Sequence, residues 1–140
     1  MITADEFNRR GIGKLPGLLG VHITTVAERE LRSQLVVQPQ LMAPNGYLHA
    51  GSIVTLADTS CGYGCVAHLP PVASGFTTLE LKSNHLATTR DGTLDCVATA
   101  VHLGRTTQVW DAVVTHRESG RTLALFRCTE LILYPPAAQR

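Results

Sequence analysis

Within 140 residues, one carboxylate stands out by its surroundings. Asp58 lies in the stretch Ala50 to Leu69, which holds no Lys, Arg or Glu. Ser52, Thr55, Asp58 and Thr59 recur at helical spacing, which fits a solvated stripe. A wet helical face usually carries long charged side chains, however, and this one has none. An enclosed Asp58 needs a partner or a purpose. Enclosed carboxylates of raised proton affinity are candidate general bases or nucleophiles. Just upstream stands His49-Ala50-Gly51. If a helix begins there, its first amides have no internal partners and carry the positive end of the dipole. The small residues Ala50 and Gly51 let a ligand oxygen reach those amides, an oxyanion hole in principle. His49 reads first as a capping histidine and second as a proton-transfer group. Along a helix axis Ala50 and Asp58 are about 12 Å apart, too far for one Asp side chain to span. For both to act on one carbonyl, they must come from different chains. Two antiparallel copies of the helix achieve this, which implies a homodimer with two equivalent sites at an isologous interface.

These residues need a rod to position them. The helix is expected to start just after His49 and to stop before Pro70-Pro71, because a residue preceding proline is pushed out of the α region. That gives roughly 20 residues and about 30 Å. Its apolar residues spread around most of the circumference, so it is buried nearly all round. Polar and small residues interrupt it too often for a membrane span. Gly62 and Gly64 inside it cost up to about 1 kcal/mol each relative to Ala. The expected compensation is close approach to a sheet.

Upstream, Thr3 to Arg10 is expected as a short amphipathic helix, with Thr3 as N-cap and Glu6 completing a capping box. Gly11, Gly13, Pro16 and Gly17 then break the chain. Val21 to Val26 and Arg29 to Val37 read as strands joined at Glu28–Glu30. Pro39 and Pro44 bracket a loop into the long helix. Downstream, Gly75 to Leu86 alternates as a strand. Thr93 to Leu103, Thr106 to Arg117 and Arg121 to Tyr134 follow, joined by short turns in an antiparallel meander. Leu94, Cys96, Ala98, Ala100 and His102 are expected on one face. The tail, Pro135 to Arg140, is expected to be disordered. The fold class is therefore α+β: a curved six-stranded antiparallel sheet around one long helix inserted between its second and third strands.

The length fits a single domain with a workable core. A formal net charge of +1 and 5% aromatics leave no basic or base-stacking footprint for nucleic acid or an anionic membrane. The N-terminal stretch lacks the apolar core of a signal peptide, so the cytoplasm is the expected compartment. Cys61, Cys65, Cys96 and Cys128 form no C-x-x-C and read as small buried residues.

The run NGYLHAGSIVTLADTSCGYG resembles the helix signature of hotdog-fold acyl-CoA thioesterases of the phenylacetate-degradation (PaaI-like) type. In that family H-G-G opens the helix and an Asp or Glu follows seven residues after the second glycine; Gly51 and Asp58 hold that spacing. GFTTLELKSNHLAT resembles the strand after the helix, ending in Asn84-His85-Leu86. HLGRTT resembles the family's G-R turn. The likeness covers Leu18 to Tyr134.

The resemblance implies hydrolysis of coenzyme A thioesters of small, medium-chain or aryl acids, without metal or cofactor. It implies that the Ala50 amide binds the thioester oxygen and that Asp58 acts from the partner subunit as base or nucleophile. Thr77 would orient water, and the Gly104-Arg105-Thr106 turn would contact CoA, with Arg105 on a phosphate. It also implies a tetramer, as a dimer of dimers. Two departures stand out. Ala50 replaces the first glycine of H-G-G. The family Asn six residues before the His is Ala43 here, with Asn45 four before as its candidate substitute. A non-catalytic acyl-CoA-binding protein of the same fold is the rival reading. The Asp-x-x-x-x-His helix pattern of hydratases is not seen.

Overall fold

The computed structural model describes residues 1–136. Helix α1 spans Ala4–Gly11 and α2 spans Leu15–Leu19. Strands β1 (His22–Ala27) and β2 (Glu30–Val36) lead through a single 3-10 turn, Pro39–Leu41, to helix α3, Ala50–Ala67. Strands β3 (Gly75–His85), β4 (Thr93–Leu103), β5 (Thr107–His116) and β6 (Thr122–Leu133) complete the chain. They form one antiparallel sheet in the order β1-β2-β4-β5-β6-β3. This is the hotdog architecture expected from the sequence, with α3 on the concave face. The end of the tail, residues 137–140, lies outside the described residues.

Period-two alternation decides which side chains meet the helix. Leu94, Cys96 and Ala98 of β4, Trp110, Ala112 and Val114 of β5, and Ala124, Phe126 and Cys128 of β6 are all buried. Opposite them α3 buries Ile53, Leu56, Ala57, Cys61 and Cys65. The two helix glycines meet aromatic rings at the closest points. A Cβ on Gly62 would lie 2.9 Å from Phe76 Cζ, and one on Gly64 would lie 2.7 Å from Trp110 Cζ3. Glycine is therefore what lets the rod sink onto the sheet. The two buried helix serines are bonded: Ser60 Oγ lies 2.6 Å from Ser33 Oγ and donates to the Leu56 carbonyl at 2.7 Å, and Ser52 Oγ donates to the Leu41 carbonyl at 2.8 Å.

The two sheet edges differ. Along β1, the Asn8 side chain of α1 donates to the Ile23 carbonyl at 2.9 Å and accepts the Ile23 N–H at 2.8 Å. Helix α1 is itself anchored by Phe7, stacked on Tyr63 of α3 at 4.5 Å. Along β3, no strand among the described residues lies on the far side, and Leu79 and Leu81 are 58% and 42% exposed.

Several local expectations need correction. Thr3 caps α1, accepting the Glu6 N–H at 3.2 Å, but the Glu6 carboxylate bonds Arg9 instead of closing a capping box. Opposite charge three residues away along the helix outcompetes a neutral amide. The segment read as a simple break contains α2, started by Pro16 in its first turn and ended by Gly20 at φ 83°. His102 does not share the inner face: a register shift between Ala100 and His102 pairs it with Val109, on the outer surface. A bulge of this kind re-aims every side chain beyond it.

Candidate active site

Helix α3 opens as the spacing requires. His49 is extended, at φ −66° and ψ 134°, and its Nδ1 accepts the Gly51 N–H at 2.8 Å. The capping role of His49 is thus the one realised. Gly51 carries no side chain because a Cβ there would lie 2.9 Å from His49 Nδ1. The Ser52 N–H goes to the His49 carbonyl at 3.0 Å. Among the described residues no hydrogen bond takes the Ala50 N–H. Ala50 is exposed, so this donor faces outward at the positive end of the helix.

Two turns further on, Asp58 is half-buried, and its Oδ1 is buried without a hydrogen-bond partner. Burial disfavours its charge and raises its proton affinity. The solvated-stripe reading therefore fails for Asp58 Oδ1 and for Ser52, which is buried; Thr55 is half-buried and donates back to the Gly51 carbonyl at 2.9 Å.

The other sequence candidates divide between distant places. Asn45 accepts the Tyr47 N–H at 3.1 Å, so its side chain closes its own loop. Thr77 pairs with Leu131, whose neighbours Glu130 and Ile132 are the buried, helix-facing residues. Thr77 therefore lies on the outer face, and the threonine facing the helix is Thr78, paired with Glu130. Asn84 and His85 sit at the far end of β3 and point to opposite faces. Asn84 lines an outer groove of about 270 Å³ with Lys82, Leu125 and Arg127. Gly104, Arg105 and Thr106 form the turn at the other end of the sheet. There the Gly104 N–H bonds the Thr107 carbonyl at 2.9 Å, and Tyr134 Oη donates to the Arg105 carbonyl. Along β6 the two ends are about 20 Å apart. Within one chain, the structure brings together neither Ala50 with Asp58 nor Arg105 with His85.

One residue escaped the sequence reading. Glu130 is fully buried, and neither carboxyl oxygen has a hydrogen-bond partner. Burial pushes its proton affinity up. The Thr78 hydroxyl and the Cys128 thiol pull the other way by favouring the charged form, and the Asp58 charge, the smallest of these influences, adds to the rise. The signal lay in the sequence: Phe126, Cys128, Glu130 and Ile132 alternate on one face of a strand.

The four cysteines are free and buried. The neighbouring Cys128 sulfur and burial push the Cys61 thiol well up, and burial takes Cys65 to about 12 and Cys96 to about 11. Thiolate, the nucleophilic form, is thereby disfavoured at these three.

Residues 45–124 match the thioesterase superfamily. The chain belongs to this family. The enzyme is a thioester hydrolase of hotdog fold. It is similar to the 1,4-dihydroxy-2-naphthoyl-CoA hydrolase of Listeria monocytogenes, 35% identical over 111 residues that cover 79% of this chain and 89% of that one. A mutant thioesterase from Pseudomonas aeruginosa superposes with a TM-score of 0.89 at 28% identity, covering 95% of each chain. The Escherichia coli PaaI protein, from the phenylacetic acid degradation operon, has a TM-score of 0.78 at 22% identity over 94% of this chain and 96% of that one. That last likeness speaks for the fold alone. Among the described residues no helix is long and apolar enough to cross a membrane.

Proposed function

We propose that the enzyme hydrolyses the thioester of an acyl-CoA carrying a small, medium-chain or aryl acyl group, giving the free acid and CoA. The observation that carries this reading is Asp58: a carboxylate of raised proton affinity, with a buried oxygen free of partners, on a helix whose first amide is open. The thioester carbonyl oxygen sits on the Ala50 N–H, where the helix dipole favours negative charge. Asp58 acts as base toward water or as the attacking carboxylate. In the first case a C–O bond forms from water as the C–S bond breaks, and the proton taken by Asp58 passes to the leaving thiolate. No metal or cofactor enters this scheme.

The two groups meet only if a second chain supplies one of them. The open edge of β3, with Leu79 and Leu81 exposed, is where a second copy would pair, antiparallel about a two-fold axis. Antiparallel pairing sets the partner's helix start toward this chain's Asp58. The active unit in this reading is a homodimer with two sites, and two dimers associate into a tetramer. The curated relative that hydrolyses 1,4-dihydroxy-2-naphthoyl-CoA supports including aryl thioesters.

A thiol-release assay across short, medium, long and aryl acyl-CoAs tests the proposal. Turnover is expected with at least one class, and to fall by roughly 10²–10⁴-fold after Asp58→Asn. Tight acyl-CoA binding without release of free CoA from any member would replace this reading with that of a binding protein.

A further inference from the structure

Two carboxyl groups face the same layer between α3 and the sheet, and the scheme above uses one of them. Glu130 is 0% exposed with both oxygens unpartnered, and Asp58 Oδ1 is buried and unpartnered as well. An unpaired buried ion is costly, and two like charges sharing one site cannot both ionise cheaply. The other groups facing Glu130 do not neutralise it. Helix α3 offers Asp58 and the Cys65 thiol; β6 itself offers the Cys128 thiol and β3 the Thr78 hydroxyl, two donors that favour the charged form without supplying a positive charge. Strand β5 offers Gln108, but its amide is committed to the His68 carbonyl at 2.9 Å and the Trp110 indole at 2.8 Å. The His68 ring is engaged by the Gly64 carbonyl and the Arg29 N–H, both at 2.8 Å. Lys82 pairs with Arg127 on the outer face, away from the layer.

We propose that Asp58 and Glu130 act as one two-carboxyl unit carrying a single negative charge, with the proton held on Glu130. The proposal rests on the reading of Asp58 as base or nucleophile. Burial decides which member keeps the proton: Asp58 reaches solvent and Glu130 does not. Glu130 is a positioning residue. It touches no substrate, and it sets the basicity of Asp58 from behind.

Such a unit loses its protons in two steps that belong to the pair. The first charges Asp58 and switches activity on. The second ionises Glu130 and sets charge against charge. Attack on the thioester moves negative charge from Asp58 to the carbonyl oxygen, so it relieves that repulsion. The second step therefore raises kcat/KM, by at most about tenfold per unit of added Asp58 basicity.

Infrared titration of the intact protein tests the proton assignment without reference to activity. In the wild type the carbonyl band of a protonated carboxylic acid is expected to outlast the ionisation of Asp58 as pH rises, and it is lost in Glu130→Gln. In Asp58→Asn the band should disappear at a lower pH than in the wild type, because the charge that holds the proton is gone. Absence of the band in folded wild type, or a midpoint unmoved by Asp58→Asn, would overturn the proposal even if the thioesterase reading stands. The kcat/KM profile, corrected for spontaneous hydrolysis, supplies the second readout. Glu130→Gln should keep the acid limb in place and lose the alkaline rise. An acid limb that moves down would make Glu130 the charged member and refute the assignment. If Glu130→Gln does not fold, the wild-type and Asp58→Asn infrared titrations decide alone.

Discussion

Asp58→Asn removes charge and basicity while keeping shape, and it can be made to report on the interface. If Asp58 activates water or attacks the carbonyl, kcat should fall by roughly 10²–10⁴-fold, about 3–5 kcal/mol of barrier. Folding should survive. The native environment raises the proton affinity of Asp58, so its charged form costs stability, a cost that appears as pH rises from the unfolded to the folded value. At neutral pH the Asn variant escapes that cost and should be at least as stable as the wild type; in acid the two should converge. A second variant, Ala50→Trp, covers the helix-start amide with a bulky side chain at an exposed position. Each variant alone is impaired for its own reason. Mixed at equal amounts with free subunit exchange, half the dimers are heterodimers. Each heterodimer has one site combining Asp58 from one chain with Ala50 from the other, and one site with neither. About a quarter of all sites are then intact, as two-fold symmetry requires. Activity should recover to about a quarter of wild type, assayed by thiol release with heterodimers confirmed by native mass. Confirmed heterodimers without recovery would refute the cross-chain site.

Three further outcomes follow from contacts already described. Thiol reagents should leave all four cysteines unmodified in the native enzyme and label them after unfolding, since each is buried; rapid native labelling with loss of activity would point to a thiol nucleophile instead. Gly64→Ala should destabilise by about 1–3 kcal/mol in urea titration, because the added methyl meets Trp110 at 2.7 Å and this overpacking exceeds the gain in helix propensity of up to about 1 kcal/mol; a stabilised variant would contradict the tight contact. His49→Ala should cost about 1 kcal/mol of stability through the lost cap on Gly51 N–H, and unchanged unfolding would show that the cap contributes nothing.

Much of this fold was legible in residue patterns. The helix start showed in small residues after His49, and its burial showed in the missing long charges. Strand β4 matched its expected limits because Gly92 and Gly104 bound an unbroken alternating run. What escaped were shifts of phase. The register breaks after Thr78 and Ala100 change which face Leu81 and His102 meet, and strict alternation carries no mark of them. Thr77 illustrates the consequence: counting from Gly75 picks Thr77, but parity assigns the helix-facing position to Thr78. Glu130 escaped for the opposite reason. Its parity was readable, but a glutamate late in a strand is ordinarily taken for a solvent-facing residue, and only the fold shows what encloses it. The cross-chain site is partly legible, because the length of a helix is known from its residue count. Which edge admits the second chain is a property of three dimensions.

The two hydrogen bonds between Asn8 and Ile23 have a consequence for assembly size. A sheet with two receptive edges can add copies without limit, each new chain presenting a fresh edge to the next. By occupying both backbone groups of Ile23, a single amide side chain holds α1 against β1 and interrupts that edge, which leaves the β3 edge as the uninterrupted one for strand addition. A molecule with one such edge, a single valence, can form pairs but not chains, so sheet growth terminates at the second copy. Truncation of α1 would restore the second valence, and the product expected at high concentration is then an open filament in place of a closed particle.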